Sequence, residues 1–171
     1  MTFEEMAKAR YSVRKYSDKR IEDEKLQKIL QVANLAPTAK NTQCIRIYVL
    51  KSEEAMNKIK GLTRCSYGAP VVLLFAYEES EAYVYPNQEA QDSGAEDCSI
   101  VATHVMFEAL EQGLGTCWVN VFTPAEVEKA FNLPATQHAV LLMDLGYEAE
   151  GNVPAPRHSE KKALSEIVRE L

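Results

Sequence analysis

A chain of 171 residues with 46% hydrophobic and 26% charged positions can bury a substantial core, which excludes an intrinsically disordered protein. Its formal net charge of −6 and pI near 5.2 argue against a nucleic-acid partner, because phosphate neutralisation needs a broad cationic face. No apolar run approaches the about 20 residues of a membrane helix, Met1 is not followed by a basic or apolar signal region, and Cys44, Cys65, Cys98 and Cys117 form no C-x-x-C pair. These features predict a cytoplasmic protein with reduced thiols and no membrane partner.

Along the chain, Thr2 and Glu5 make a capping box that starts a short helix at Phe3, ending near Arg10. The heptapeptide RYSVRKY, Arg10 to Tyr16, follows. Apolar residues at Leu26, Ile29, Leu30, Ala33 and Leu35 predict a helix over 21–36, closed by Pro37. Residues 46–50 alternate as a half-buried strand, 52–59 form a helix, and PVVLLFAY, 70–77, is a buried strand. Glu78 to Gly94 is acidic and without period, a long loop of the kind that makes lids or rims. The helix over 95–112 is apolar on more than one face, and so is buried either centrally or against a second subunit. A strand over 116–121 and a helix capped by Thr123, Pro124 and Glu126 come next, then a strand over 139–147. A Pro-containing tail leads into a closing helix, Leu164 to Leu171. The element order predicts a single α+β domain over 1–171, with a mixed, mainly antiparallel central sheet flanked by helices.

Metal binding finds no ligand spacing among His104, His138 and His158 or the cysteines. GLGTCW lacks the third glycine of a dinucleotide loop and runs from helix to strand, and no Walker lysine or G-x-S-x-G elbow exists. RYSVRKY is more informative. In an extended segment Arg10, Ser12 and Arg14 share one face while Tyr11 and Val13 point to the core, and two guanidinium forks around a hydroxyl suit an anionic, oxygen-rich ligand. Lys15 is assigned to solvent. APTAKNTQ, Ala36 to Gln43, presents Thr38, Asn41 and Gln43, whose amides and hydroxyl could read the edge of a heterocycle or simply line a polar helix-to-strand loop.

Together, RYSVRKY, APTAKNTQ, DCSIVATHVMFEALEQGLGTCWVN and the late R-H-x-x-K-K tail resemble the nitroreductase family of FMN-dependent oxidoreductases, in order and across essentially the whole chain. The resemblance implies a homodimer with two FMN sites at the subunit interface. Arg10 and Ser12 would hold the phosphate and ribityl chain, with Tyr11 beside them and Arg157 completing the phosphate site. Arg14 would lie near flavin N1 and O2 as an electrostatic stabiliser, no side-chain catalyst being needed. Pro37, Thr38, Ala39, Asn41 and Gln43 would come from the partner subunit, and Trp118, Val119 and Asn120 would pass beside the ring.

The sequence departs from the family pattern in three ways. Cys44 and Ile45 follow Gln43 where Pro-Trp is usual, His104 stands where asparagine is frequent, and a helical excursion is missing. The implied activity is hydride transfer from NADH or NADPH to FMN, then ping-pong transfer to a nitroaromatic, quinone or similar small acceptor. The alternatives are a non-catalytic FMN sensor or carrier, or a flavoenzyme of different chemistry such as dehalogenation or enoate reduction.

Overall fold

The computed structural model describes residues 1–86 and 91–171; residues 87–90 of the predicted acidic loop lie outside the described residues. Four strands form one sheet: β1 (Ile45–Leu50), β2 (Val71–Glu78), β3 (Gly115–Val119) and β4 (Gln137–Gly146), in the order β1-β2-β4-β3, every named pair antiparallel. The only parallel element among the described residues is an isolated bridge between Ser12 and Thr116, outside the heart of the sheet.

The pleat divides the two central strands between two cores. Val71, Leu73 and Phe75 of β2 and Leu141, Met143 and Leu145 of β4 face one side, where they meet α2 (Asp23–Val32) and the long α4 (Gly94–Glu111). Val72, Leu74 and Leu142 face the other, with α3 (Glu53–Leu62) and α5 (Pro124–Ala130). Both faces are covered, which is why PVVLLFAY reads as an unbroken apolar run rather than an alternation. At the N-terminus, α1 (Phe3–Ala9) carries the expected capping box: Glu5 N donates to Thr2 Oγ1 at 3.2 Å and Thr2 N to Glu5 Oε2 at 2.7 Å.

Three local expectations are corrected. The closing helix is one turn, α6 (Leu164–Ile167), because Leu164, Ile167, Val168 and Leu171 are all exposed and no apolar face is buried to hold a longer one. Thr123 precedes α5 without a side-chain cap; its carbonyl, not its hydroxyl, accepts from Glu126 N at 3.1 Å. The predicted helix over 21–36 ends its α turns at Val32 and tightens into a 3-10 turn, Ala33–Leu35, before Pro37. The acidic stretch after β2 is not wholly irregular either, since a 3-10 turn covers Glu79–Glu81 and Val84 bridges Asp92.

Candidate functional site

The heptapeptide is extended and runs alongside β3. Val13 N donates to Thr116 O at 2.9 Å, and Ser12 and Thr116 form the parallel bridge. Val13 is buried at 2% exposure against Ala69 and Tyr16, as expected of the core-facing position. Tyr11 also packs against this cluster, but only its ring does so. It is half-buried, its hydroxyl donates to Glu148 and accepts from Asn152 Nδ2 at 3.1 Å, and burial and the Glu148 carboxylate both raise its pKa. The chain after β4 returns past Tyr11, so its hydroxyl reaches Glu148 while its ring stays against the Val13 cluster.

Arg14 is exposed, donates to Ser12 O at 3.3 Å and lies 5.9 Å from the centre of the Tyr67 ring. Arg10 lies half-buried at the end of α1 and lines a cavity of about 190 Å³ with Tyr11, Leu110, Gly113, Gly115, Thr116 and Glu148. The tail turn Pro156–His158 reaches the same place, because the His158 ring packs 5.9 Å from that of Tyr11, bringing Arg157 to this side of the molecule. Among the described residues no carboxylate lies within ion-pair distance of Arg10, Arg14 or Arg157, whereas Lys8, Lys19, Arg20, Arg46, Lys51 and Lys58 are paired. Unpaired guanidinium groups on an acidic protein suit an anionic ligand.

Beneath them, Cys117 is buried and its thiol is pushed up to about 11, first by burial and then by Asp144. A thiol held in that form is a packing group, not a nucleophile. Further along β3, Trp118 Nε1 donates to Asn120 Oδ1 at 2.5 Å and Asn120 Nδ2 to Val140 O at 3.0 Å, while the Val119 side chain is buried in the opposite core and offers only backbone.

The APTAKNTQ loop forms a second group elsewhere. Thr38 Oγ1 accepts from Gln43 N at 3.1 Å, and Gln43 Nε2 donates to Asn41 Oδ1 at 3.2 Å. Lys40, Asn41 and Gln43 have φ of 52°, 56° and 53°, a left-handed backbone that non-glycine residues rarely adopt and that clusters at binding sites. Thr42 Oγ1 is buried without a partner among the described residues. Pro37 is exposed, Ala39 is half-buried, and Ala39 N donates to Asp97 Oδ1 at 2.8 Å.

Asp97 escaped the sequence reading. The signal available was an acid interrupting the apolar stripe of α4 beside Cys98, which composition treats as an ordinary first-turn acid.

The two groups lie at opposite ends of α4. Asp97 holds the loop near its N-terminus, and Leu110 lines the arginine cavity thirteen residues on, a separation of about 20 Å at the helical rise. On one chain, therefore, the loop and the Arg10 cavity are apart.

The chain is similar to proteins of one family. The family model described as the nitroreductase family aligns with residues 7–67 and 66–147. A nitroreductase family protein from Clostridium difficile 630 is 36% identical, with 99% of this chain and 98% of that chain covered at a TM-score of 0.91. A protein of Archaeoglobus fulgidus with the provisional name NADH dehydrogenase/NAD(P)H nitroreductase is 29% identical over 150 residues, 83% of each chain. A provisionally named nitroreductase of Exiguobacterium sibiricum 255-15, solved in complex with FMN, shares the fold at 20% identity and a TM-score of 0.86, covering 100% of this chain and 98% of that one.

Proposed function

The chain belongs to the nitroreductase family, and from that premise we propose that it is an FMN-dependent oxidoreductase using NADH or NADPH, working as a homodimer with two shared flavin sites. The observation that carries this reading is the separation of the Arg10 cavity and a strained amide-bearing loop to the two ends of α4. A two-fold pairing that sets α4 of one copy antiparallel to α4 of the other joins unlike ends twice. Exposed Phe3 and Ile100, together with an apolar groove of about 420 Å³ lined by Phe3, Met6, Val32, His104 and Phe107, support α4 as part of the contact.

The residues fit the cofactor. Arg10, Ser12 and Arg157 supply a cationic, hydroxyl-bearing cradle for the phosphate and ribityl chain, with Tyr11 closing its side. Arg14 would supply a cation to stabilise negative charge on the pyrimidine ring. Thr38, Asn41 and Gln43 of the partner copy, with Pro37 and Ala39 of the same loop, offer donors and acceptors to the heterocycle edge, and Trp118, Val119 and Asn120 line its other side. When bound, FMN would supply the hydride and electron chemistry between NADH or NADPH and a nitroaromatic, quinone or similar small acceptor, in ping-pong order. The protein's part is to hold, orient and electrostatically bias that group, so no side chain acts as nucleophile.

Purification followed by visible spectroscopy and anaerobic addition of NADH and NADPH tests the proposal. A yellow protein bleached by either nicotinamide supports it. A colourless protein that takes up no added FMN overturns it, and a yellow protein that neither nicotinamide bleaches overturns the catalytic part.

A further inference from the structure

Asp97 lies in neither proposed half-site, yet it grips the loop that makes one of them. Its side chain is 2% exposed; Oδ1 accepts from Ala39 N at 2.8 Å, Oδ2 accepts from Ser93 Oγ at 2.7 Å, and Cys44 Sγ stands 3.8 Å from Oδ2. The Ser93 hydroxyl in turn accepts from Tyr83 N at 3.2 Å, and Ser93 N donates to Tyr83 O at 2.9 Å. Gly94 lets this end of α4 press against β2, since a Cβ there would stand 2.1 Å from the Tyr77 ring. One carboxylate thus ties two walls together: the loop at Ala39 and the segment at Tyr83, where Lys40 also lies 5.8 Å from the ring centre.

Two facts set this carboxylate apart from an ordinary helix-start acid. Among the described residues it has no cationic partner, and a buried carboxylate served only by neutral donors is an expensive way to fill a core. The loop it holds also carries left-handed backbone at Lys40, Asn41 and Gln43, which persists only where the surroundings over-determine it. The remaining hydrogen bonds of residues 38–43 are local: Asn41 N to Thr38 O, Thr42 N to Ala39 O, Gln43 N to Thr38 Oγ1, and Gln43 Nε2 to Asn41 Oδ1. Asp97 supplies their long-range anchor.

We propose that Asp97 is a positioning residue of the flavin site, acting through Ala39 to hold Thr38, Asn41 and Gln43 in their binding conformation and through Ser93 to keep the Tyr83 wall beside them. The proposal rests on the FMN reading for what the loop binds, but not for how the loop is held.

The test compares Asp97→Ala, Asp97→Asn and, as a control for lost stability, Val105→Ala, a cavity-forming change two turns along the same helix. Amide exchange of residues 38–43 is followed in the flavin-free protein, and FMN affinity is followed by flavin fluorescence. Asp97→Ala should speed exchange at Ala39 and weaken FMN binding by about tenfold or more. Asp97→Asn keeps an acceptor for Ala39 and can donate to Ser93 Oγ, so it should stay within about threefold of the parent.

Val105→Ala should lose stability with loop exchange and FMN affinity unchanged. Equal weakening by Val105→Ala, no rescue by Asn, or slow loop exchange in Asp97→Ala would each overturn the inference. Where Asp97→Ala does not fold, Ser93→Ala carries the test: faster exchange at Tyr83 with weaker FMN binding supports it, and neither change overturns it. A parent protein that takes up no FMN overturns the functional reading instead, while the exchange measurement still decides whether Asp97 holds the loop.

Discussion

Val13 N donates to Thr116 O at 2.9 Å, and that bond fastens the arginine-bearing heptapeptide to β3. The contact is close enough to depend on the next residue, because a Cβ on Gly115 would stand 2.5 Å from Val13 Cγ2 and 3.0 Å from its Cβ. The strand and the heptapeptide can approach only if one of them lacks a side chain there.

Gly115→Ala is therefore expected to destabilise the protein by about 1–3 kcal/mol through overpacking and to loosen FMN together with the displaced Arg10 and Arg14. Val13→Ala on the same background should recover part of the loss. Urea unfolding of the four members of the double-mutant cycle measures the coupling, and strictly additive losses would contradict the contact.

Arg10→Ala removes an unpaired guanidinium from the proposed phosphate cradle, a loss of about 1.5–3 kcal/mol for hydrogen bonds to charged groups, or roughly tenfold to a hundredfold in FMN affinity. Arg157→Ala should act in the same direction. Arg20→Ala is the control, since Arg20 is occupied with Asp23 at 2.8 Å on an exposed surface. Fluorescence titrations at several salt concentrations read both the affinity and its electrostatic share, and equal effects at Arg10 and Arg20 would remove the assignment.

The division of the site between two copies has a test of its own. Arg10→Ala and Asn41→Ala homodimers each carry one lesion in every site. A mixed dimer concentrates both lesions in one site and leaves the other intact, provided the loop acts across the interface. Co-expression with two tags and isolation of the mixed dimer should recover one parent-like FMN site per dimer. No recovery would mean that the two groups serve a site within one chain.

Asp144 lies at 2% exposure on the β4 face shared with Val72 and Leu142, with Tyr67 N as its hydrogen-bond donor at 3.4 Å, and burial raises its carboxyl to about 7. The folded state then holds a proton that the unfolded state releases above its ordinary value near 3.8, so this group's contribution to stability falls as pH rises from about 4 to about 7 and is level beyond. The loss across that window is on the order of 4 kcal/mol. Asp144→Asn should flatten the fall and make the protein more stable than the parent at pH 8. Urea unfolding between pH 5 and 8 checks it; parallel curves for the two proteins would show that Asp144 does not titrate in this range.

Several elements were legible in the chain because their signals are local. The period of α4, the apolar run of β2 and the Thr2–Glu5 capping box depend on residues within a turn or two of one another, and each formed where its pattern predicts. The alternation around Val13 was equally local, and Val13 is buried where it predicts, whereas the Glu148 partner of the Tyr11 hydroxyl is 137 residues away and left no local signal. The closing helix failed for the complementary reason. Propensity alone does not sustain a short helix, and nothing in its own chain buries Leu164, Ile167, Val168 and Leu171.

The sequence by itself determined the family, the sheet-and-helix class and the two candidate motifs, because hydrophobic period and short motifs are carried by neighbouring residues. Only the tertiary structure decided that the motifs sit at opposite ends of α4, that Asp97 rather than the loop itself secures Ala39, and that Asp144 is stranded in an apolar face. Each of those outcomes is a contact across 58 residues or more, or a desolvation created by elements distant in the chain. Such effects exist only once the sheet has closed, since a carboxylate's partners and its access to water are properties of the folded surroundings and not of its neighbours in sequence.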